Sequence, residues 1–287
     1  MKKVNIKKAL AVVLSVLTVL GIATGCGQKF DKSNDVTVIT REEGSGTRGA
    51  FTELFEIENI FASAIVNDKT GIVLTTVGDD VNAIGYISLG SMKNSVKALE
   101  IDGAAATVEN IKNGKYKVYR PFNIATKGDL SDAARDFVNF ILSDDGQKVI
   151  EDNGYIKTES TGAYESTRVS GKVVIMGSSS VTPVMEKLKE AYAEINPNVS
   201  IEINMSDSSN GVKSVISGTC DIGMASRELK PSEIESGVQG TVIANDGIAI
   251  IVNNNNPLKG LSSEDVKNLY TGVAKKWEDL SGAVWAE

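Results

Sequence analysis

One stretch of the sequence combines residue types that suit the binding of an anion. It reads Arg-Glu-Glu-Gly-Ser-Gly-Thr-Arg-Gly-Ala-Phe from Arg41 to Phe51. Its glycines allow the backbone to approach a ligand closely, while Ser45 and Thr47 supply hydroxyl donors. Arg41 adds a guanidinium fork, which we expect Glu43 to hold by an ion pair. The alternative is an ordinary capped helix that follows a turn.

The flanking residues place this stretch in a turn between a strand and a helix. Val36 to Thr40 alternates as a strand does, and the apolar residues from Ala50 to Ile57 fall at helical spacing. The same order of strand, small-residue turn and helix recurs around residues 177–181 and 207–211. Three such units predict an α/β fold with its ligand crevice at the carboxyl ends of the strands.

The chain begins with features of a bacterial lipoprotein. Four lysines precede an apolar run over residues 9–22, which is shorter than the roughly 20 residues of a spanning helix, and small residues then lead to Cys26. This pattern resembles a lipobox, in which Cys26 receives lipid. We expect a lipoprotein signal peptide over residues 1–25 and a polar tether over residues 26–35.

Charge and composition exclude several functions. Removal of residues 1–25 takes away four lysines and no acidic residue, so the net charge falls from −7 to −11. An acidic body argues against nucleic acid and against electrostatic adhesion to anionic lipid, and it requires any anion site to work through local donors. The sequence has no histidine, which removes histidine-based triads and the usual zinc and iron sites.

No metal, catalytic residue or cofactor is therefore expected. A phosphoester hydrolase with Ser45 or Ser180 as nucleophile is the enzyme alternative, but nothing in the sequence supplies its base. With Cys26 lipidated, Cys220 has no disulfide partner, and we expect it to be small and buried.

Several further elements are predicted from periodicity. Tyr116 to Tyr119 reads as a strand that ends at Arg120 and Pro121, and Thr241 to Val252 reads as a long apolar strand interrupted at residues 245–247. Residues 158–171 are rich in Ser, Thr and Gly and read as a linker.

Motifs spread over nearly the whole mature chain resemble those of the phosphate-binding proteins that serve Pst-type ABC importers. They are Arg-Glu-Glu-Gly-Ser-Gly-Thr (41–47), Ala-Ile-Gly-Tyr (83–86), Tyr-Arg-Pro (119–121), Ile-Leu-Ser-Asp-Asp-Gly-Gln (141–147), Gly-Ser-Ser-Ser-Val-Thr-Pro (177–183), Ser-Ser-Asn-Gly-Val-Lys (208–213), Asp-Ile-Gly-Met-Ala-Ser-Arg (221–227), Ala-Asn-Asp-Gly-Ile-Ala-Ile-Ile-Val-Asn (244–253) and Leu-Tyr-Thr-Gly (269–272) with Trp277.

The resemblance implies a two-lobed periplasmic-binding-protein fold, type II-like. It also implies a monomer on the outer face of the cell membrane, attached through its lipid anchor only. Such a protein captures inorganic phosphate and delivers it to a Pst-type permease and ATPase complex. A receptor for sulfate or another oxyanion and a phosphate-sensing receptor remain as alternatives.

The order of the segments differs from the family's order and implies a circular permutation. The segment resembling residues 172–287 comes first in the family, and the segment resembling residues 36–156 comes second. We therefore expect the linker to join an old end to an old beginning. Lobe I would span residues 112–254, and lobe II would combine residues 36–111 and 255–287, with hinge crossings near residues 112 and 254.

The resemblance also implies the phosphate ligands. From one lobe these are Arg41, Ser45, Gly46 and Thr47. From the other they are Ser180, Val181 and Ser208, partly through main-chain amides at helix starts, with Ser179 and Ser209 as neighbours.

One departure concerns the carboxylate that distinguishes phosphate, which carries a proton, from sulfate, which does not. Where the family has an aspartate after Ala-Ser, this chain has Arg227. Our hypothesis is that Asp246 accepts the hydrogen bond from the phosphate proton instead, while Arg227 pairs with Asp246 or touches phosphate. The alternative is that Asp246 only supports a turn.

Overall fold

The computed structural model describes residues 29–286, and its strands and helices alternate as predicted for an α/β protein. The strands are β1 (Thr37–Arg41), β2 (Ile65–Asn67), β3 (Ala83–Ser88), β4 (Val96–Ala98), β5 (Glu100–Ile101), β6 (Tyr119–Lys127), β7 (Ile156–Lys157), β8 (Gly171–Ser178), β9 (Val199–Ser206), β10 (Ile222–Ala225), β11 (Val238–Asn253), β12 (Leu258–Leu261) and β13 (Val284–Trp285). The helices are α1 (Gly46–Leu54), α2 (Thr70–Asp79), α3 (Val108–Lys112), α4 (Asp132–Leu142), α5 (Asp144–Asp152), α6 (Thr182–Ile195), α7 (Ser208–Ile216), α8 (Pro231–Glu235) and α9 (Ser263–Thr271), with 3-10 turns at Leu89–Ser91 and Trp277–Asp279.

One long strand, β11, connects the two halves of the main sheet, whose order is β2-β1-β3-β11-β6-β10-β8-β9. Its residues 248–252 pair antiparallel with β3, and its residues 238–247 pair antiparallel with β6. On the outer sides, β1 runs parallel to β2 and β3, and β8 runs parallel to β9 and β10. Because parallel strands end at one edge, the turns after β8, β9 and β10 lie together.

Two hydrophobic cores define the two lobes of the fold. The first lobe is built on buried residues that lie between positions 38 and 118 and between positions 248 and 280. The second lobe is built on buried residues between positions 122 and 244. The cores therefore divide at residues 119–121 and 245–247, and we place the proposed crossings there instead of near residues 112 and 254.

Strand β6 differs from the short strand predicted to end at Arg120 and Pro121. It begins at Tyr119 and continues to Lys127, so both residues lie inside it. Pro121 cannot donate to a ladder of hydrogen bonds, and it pairs with Asn245 close to an irregularity in the register of β11. Because a proline rarely lies inside a paired strand, the sequence did not predict that β6 continues beyond Pro121.

The predicted interruption of β11 at residues 245–247 is wrong. The strand is continuous there, and the register shift lies between Val242 and Ala244. A single bulge absorbs the irregularity while the ladder to β6 continues through residue 247.

The predicted linker is anchored to the second lobe. Residues 158–170 form neither helix nor strand. Buried Asp136 of α4 accepts hydrogen bonds from Tyr164 Oη and Thr167 Oγ1, each at 2.5 Å, and from Tyr192 Oη of α6 at 2.6 Å. The linker is thus fastened to two helices by one carboxylate.

The described part of the predicted tether packs on the first lobe. The ring of Phe30 lies 5.8 Å from that of Trp277 and 5.6 Å from that of Trp285, and the Lys32 amine lies 4.1 Å from the centre of the Trp285 ring. The apolar ring of Phe30 in a polar stretch explains why this part of the chain packs on the first lobe. The predicted signal peptide and Cys26 lie outside the described residues.

The burial of Cys220 and the character of the helices complete the description of the fold. Cys220 is buried, as predicted, and burial raises the pKa of its thiol to about 11. Within residues 29–286, none of the helices combines the length and the apolar character needed to cross a membrane.

Candidate anion-binding site

Three turns meet where the two lobes face each other. The turn after β1 opens α1, the turn after β8 opens α6, and the turn after β9 opens α7. The first amides of a helix have no acceptor within the helix, so each turn presents backbone donors as well as side chains. The Ser209 amide donates to the carbonyl oxygen of Gly44 at 3.2 Å and joins the lobes directly.

Arg41 is the buried cation of this junction, with an exposure of 2%. Its Nη2 donates to Ser179 Oγ of the second lobe at 3.1 Å, and its Nη1 donates to Thr70 Oγ1 at 3.3 Å. Its Nε and Nη2 also donate to the Glu42 carboxylate at 2.8 and 2.7 Å. One guanidinium group therefore links both lobes.

The predicted ion pair of Arg41 with Glu43 is wrong, because Glu42 occupies this position. Strand β1 ends at Arg41, and Glu42 turns back along the guanidinium group while Glu43 is exposed. The strand end is fixed by Tyr86, whose hydroxyl accepts from the Arg41 amide at 3.1 Å and whose ring stacks on Phe51 at 4.0 Å.

Seven hydroxyl-bearing residues, each no more than 5% exposed, form a connected network of hydroxyl contacts that reaches the Arg41 guanidinium group through Thr70 and Ser179. They are Thr47 and Thr70 of the first lobe and Ser178, Ser179, Ser180, Ser208 and Ser226 of the second. Ser180 Oγ lies 2.9 Å from Thr47 Oγ1 and 3.2 Å from Thr70 Oγ1. Since a hydroxyl both donates and accepts, each can turn its hydrogen toward an anion. We call these seven groups the hydroxyl cluster.

Gly46 permits the close approach of the lobes. A Cβ atom at this position would overlap Ser208 Oγ and would lie 2.8 Å from Ser226 Oγ. Glycine is therefore required by the space between α1 and the turns of the second lobe.

Hydrogen bonds with backbone groups hold three further predicted ligands, Ser45, Val181 and Ser208, in place. Ser45 Oγ accepts from the Arg48 amide at 3.3 Å and caps α1, and the Val181 amide donates to the carbonyl oxygen of Ser178 at 3.1 Å. The Ser226 amide donates to Ser208 Oγ at 3.1 Å, which holds Ser208 in the cluster. Ser209 lies at the lobe contact described above.

A second buried charge pair, Arg120 and Asp246, lies behind Thr47. The two residues face each other across β6 and β11, with Arg120 Nη2 3.2 Å from Asp246 Oδ2. The same Nη2 donates to Thr47 Oγ1 at 3.1 Å. Burial raises the pKa of Asp246 to about 6 and lowers the pKa of Arg120 to about 10, although their mutual attraction opposes both shifts.

The predicted pairing of Arg227 with Asp246 is wrong. Arg227 donates from Nη1 and Nη2 to the Glu233 carboxylate at 2.9 and 2.8 Å, and from Nη2 to Ser209 Oγ at 3.3 Å. Glu233 of α8 is the local partner, whereas Asp246 is held by Arg120 across the sheet. The guanidinium group of Arg120 thus lies between Asp246 and Thr47.

Sequence reasoning missed Thr70, Ser178, Ser226 and Arg120 as members of the site. Ser178, Ser226 and Arg120 stand in motifs that were recognised, so the signal was present for them. Thr70 opens α2 within a stretch whose mixed pattern predicted no element.

A groove of about 710 Å³ opens beside the hydroxyl cluster. The first lobe lines it with α2 and residues 90–93, and the second lobe with Pro183 and Met205. Thr70 and Ser179 belong to both the groove and the cluster, so the groove leads from solvent to the site.

Two α/β lobes, joined by two strand crossings and enclosing a buried polar site, define a two-lobed solute-binding protein. The family model described as a PBP superfamily domain matches residues 26–145 and 162–284. The chain is 51% identical over 294 residues to phosphate-binding protein PstS 2 of Streptococcus agalactiae serotype V, covering 98% of this chain and 100% of the relative. The chain therefore belongs to the PstS family of phosphate-binding proteins within the PBP superfamily.

Two other comparisons extend this result. A phosphate-binding protein of a phosphate ABC transporter from Streptococcus pneumoniae TIGR4, known from a crystal structure, superposes with a TM-score of 0.68 at 44% identity, covering 86% of this chain and 100% of the other. Phosphate-binding protein PstS of Staphylococcus saprophyticus is 35% identical over 127 residues, which cover 42% of this chain and 40% of that relative.

Proposed function

We propose that this protein captures inorganic phosphate between its two lobes and delivers it to an ABC importer with a Pst-type permease and ATPase. The observation that carries this proposal is the buried junction in which Arg41 faces hydroxyl groups from both lobes. A guanidinium fork and convergent hydroxyls match the oxygen atoms of phosphate. The names of the relatives, which are phosphate-binding proteins, support the same ligand.

We propose the following contacts. From the first lobe, phosphate would be bound by Arg41, Ser45, Gly46 and Thr47. From the second lobe it would be bound by Ser179, Ser180, Val181 and Ser208. We add Thr70 and Ser226 to this proposed set, because their hydroxyls lie 3.2 Å from Ser180 Oγ and 3.4 Å from Thr47 Oγ1. Arg227 is left out because its guanidinium group contacts Glu233 and Ser209 and makes no hydrogen bond to the hydroxyl cluster.

We further infer that the protein binds its ligand without turnover. A serine nucleophile needs a base, and the sequence has no histidine. The side-chain partners of Ser180 Oγ are the hydroxyls of Thr47 and Thr70, and Ser45 Oγ accepts from a backbone amide. Hydrolysis of a chromogenic phosphate ester that Ser45→Ala abolishes would overturn this inference.

We also propose that the mature protein is extracytoplasmic and carries lipid on Cys26. The lysine-rich start, the apolar run and the small residues before Cys26 support this. Mass spectrometry of the mature protein should show diacylglycerol on Cys26. A mature chain that begins at another residue would contradict the anchor.

The exchanged segment order is a further proposal, which the comparisons support. The S. agalactiae relative aligns along almost the whole chain and so shares its order. The S. saprophyticus relative aligns over about two fifths of either chain, which is close to the extent of one exchanged segment. Residues 158–171 would join the old end to the old beginning.

Calorimetry tests the proposed function. Protein refolded to remove bound ligand is titrated with phosphate and with sulfate, and we expect saturable binding of phosphate alone. Tighter binding of sulfate than of phosphate would favour a receptor for another oxyanion. No binding of either anion would overturn the proposal.

A further inference from the structure

The pair of Arg120 and Asp246 lies at the point where the chain passes between the lobes. Both side chains are 2% exposed, and they are register partners on β6 and β11. The buried cores of the two lobes end on either side of them. A charge pair at this position is fixed to both crossing strands.

The hydrogen bonds of this pair are few for its burial. Arg120 Nε, Arg120 Nη1 and Asp246 Oδ2 have no hydrogen-bond partner within residues 29–286, and Asp246 Oδ1 accepts from the Gly90 amide at 3.2 Å. The contact between Arg120 Nη2 and Asp246 Oδ2 is therefore an ion pair without the angle of a hydrogen bond. A buried guanidinium group with so few of its donors used stabilises a fold poorly.

Among the described residues, Arg120 donates one side-chain hydrogen bond, and that bond goes to the site. Its Nη2 donates to Thr47 Oγ1 at 3.1 Å, and its guanidinium carbon lies 5.3 Å from the centre of the Phe122 ring, which fixes the group from behind. A hydroxyl that accepts a hydrogen from Arg120 must direct its own hydrogen elsewhere. The other neighbours of Thr47 Oγ1 are Ser180 Oγ at 2.9 Å and Ser226 Oγ at 3.4 Å, so its hydrogen is directed toward the hydroxyl cluster.

We propose that Arg120 is a positioning residue of the phosphate site, which orients the Thr47 hydroxyl as a donor to the anion while Asp246 holds Arg120 in place. This inference rests on the proposed function. It gives Asp246 a role different from that in our hypothesis from the sequence, since Asp246 acts here as the counter-ion of Arg120 and not as the acceptor of the phosphate proton. Because the pair is neutral overall, its effect passes through Thr47 and not through net charge.

A double-mutant cycle tests this coupling. Phosphate affinity is measured by calorimetry for the parent chain, Arg120→Gln, Thr47→Val and the double variant, with Arg135→Gln as the matched exposed control. We expect Arg120→Gln to weaken binding by about ten- to a hundredfold in the parent and by less than about threefold in the Thr47→Val background. Thr47→Ser, which keeps the hydroxyl, should restore the full sensitivity to Arg120→Gln.

The outcomes distinguish a failure of this inference from a failure of the proposed function. If the parent binds phosphate and the two substitutions act independently, Arg120 works without Thr47 and the inference is overturned. If the parent binds no phosphate, the proposed function and this inference both fail. Circular dichroism during thermal unfolding reports folding. Should Arg120→Gln not fold, Arg120→Gln combined with Asp246→Asn, which leaves no unpaired buried charge, replaces it in the cycle with the same expectation.

Discussion

The backbone amide of Val36 donates a hydrogen bond to the carbonyl oxygen of Lys275 at 2.7 Å. Asp35 and Lys276 form an antiparallel bridge beside it. Segments from opposite ends of the chain are thus neighbours in the first lobe. In the family's order, the segment around Lys275 would continue directly into the segment around Val36. The proposed permutation would have cut the chain at this place.

A chain with its ends moved into the linker should therefore fold and bind phosphate. The variant begins at Ala163, joins residue 286 to residue 29 through a short Gly/Ser linker, and ends at Gly162. The rings of Phe30 and Trp285 lie 5.6 Å apart, so a short connection can span the ends. We expect a phosphate affinity within about threefold of the parent by calorimetry. A folded variant without phosphate binding would show that chain order matters to the site.

Arg41→Ala should weaken phosphate binding more than any single serine substitution. It removes the charge-assisted bonds of a buried fork and leaves Glu42 beside the anion. We expect a loss of about 2 to 4 kcal/mol, against roughly 1 to 2 kcal/mol for one hydroxyl. Arg48→Ala, which removes a partly buried arginine of the following helix α1, should matter much less in the same titration. Equal affinities of Arg41→Ala and the parent would assign Arg41 a structural role.

Gly46→Ala should impair closure of the lobes and leave their folding intact. The added methyl group would overlap Ser208 Oγ across the junction. We expect phosphate affinity to fall more than about tenfold while the unfolding temperature changes little. Gly71→Ala is the matched control, because a Cβ atom there meets no atom within 4 Å. If both variants bind phosphate alike, the lobes do not need this approach.

Asp136 should hold the linker in a pH-dependent way. Burial alone would raise the pKa of its carboxyl, but hydrogen bonds from Thr167, Tyr164 and Tyr192 lower it below the usual value of 3.8. A lowered pKa in the folded state stabilises the protein above the unfolded pKa, and this contribution is lost as pH falls through the folded pKa. The free energy of unfolding in urea should therefore be lower for Asp136→Asn than for the parent by about 1 to 3 kcal/mol at pH 7. Near pH 3 this difference should be smaller.

Two measurements complete this test. Proteases should cut residues 158–170 faster in Asp136→Asn than in the parent at neutral pH. Asp132→Asn, an exposed change on the same helix, should leave both the cutting rate and the unfolding energy nearly unchanged. A difference between Asp136→Asn and the parent that stays constant from pH 7 to pH 3 would mean that the carboxylate charge is not involved.

Sequence reasoning succeeded where the information is local. The strand, turn and helix around Arg41 follow from residue periodicity and a capping serine, and each lies within a few positions of the others. The helix Thr182–Ile195 follows the turn predicted around residues 177–181, because its apolar face and its early proline act within the same turns.

It failed where the answer depends on geometry between distant segments. Asp246 pairs with Arg120 and not with Arg227 because of the register between β6 and β11, which no short window contains. Glu42 and Glu43 carry the same chemistry one position apart, so only the direction of the backbone after Arg41 distinguishes them.

Strand β11 has a mechanical consequence for the protein. The crossing at residues 245–247 is part of a continuous ladder with β6, so opening the cleft must twist a hydrogen-bonded ribbon, where many two-lobed proteins bend a loop. Twisting such a ribbon strains its ladder of hydrogen bonds, so the ribbon favours return to its untwisted geometry. The backbone amides of this ribbon should exchange with solvent as slowly as those of the core strands. The segment that moves during opening would then belong to the most stable cooperative unit of the protein.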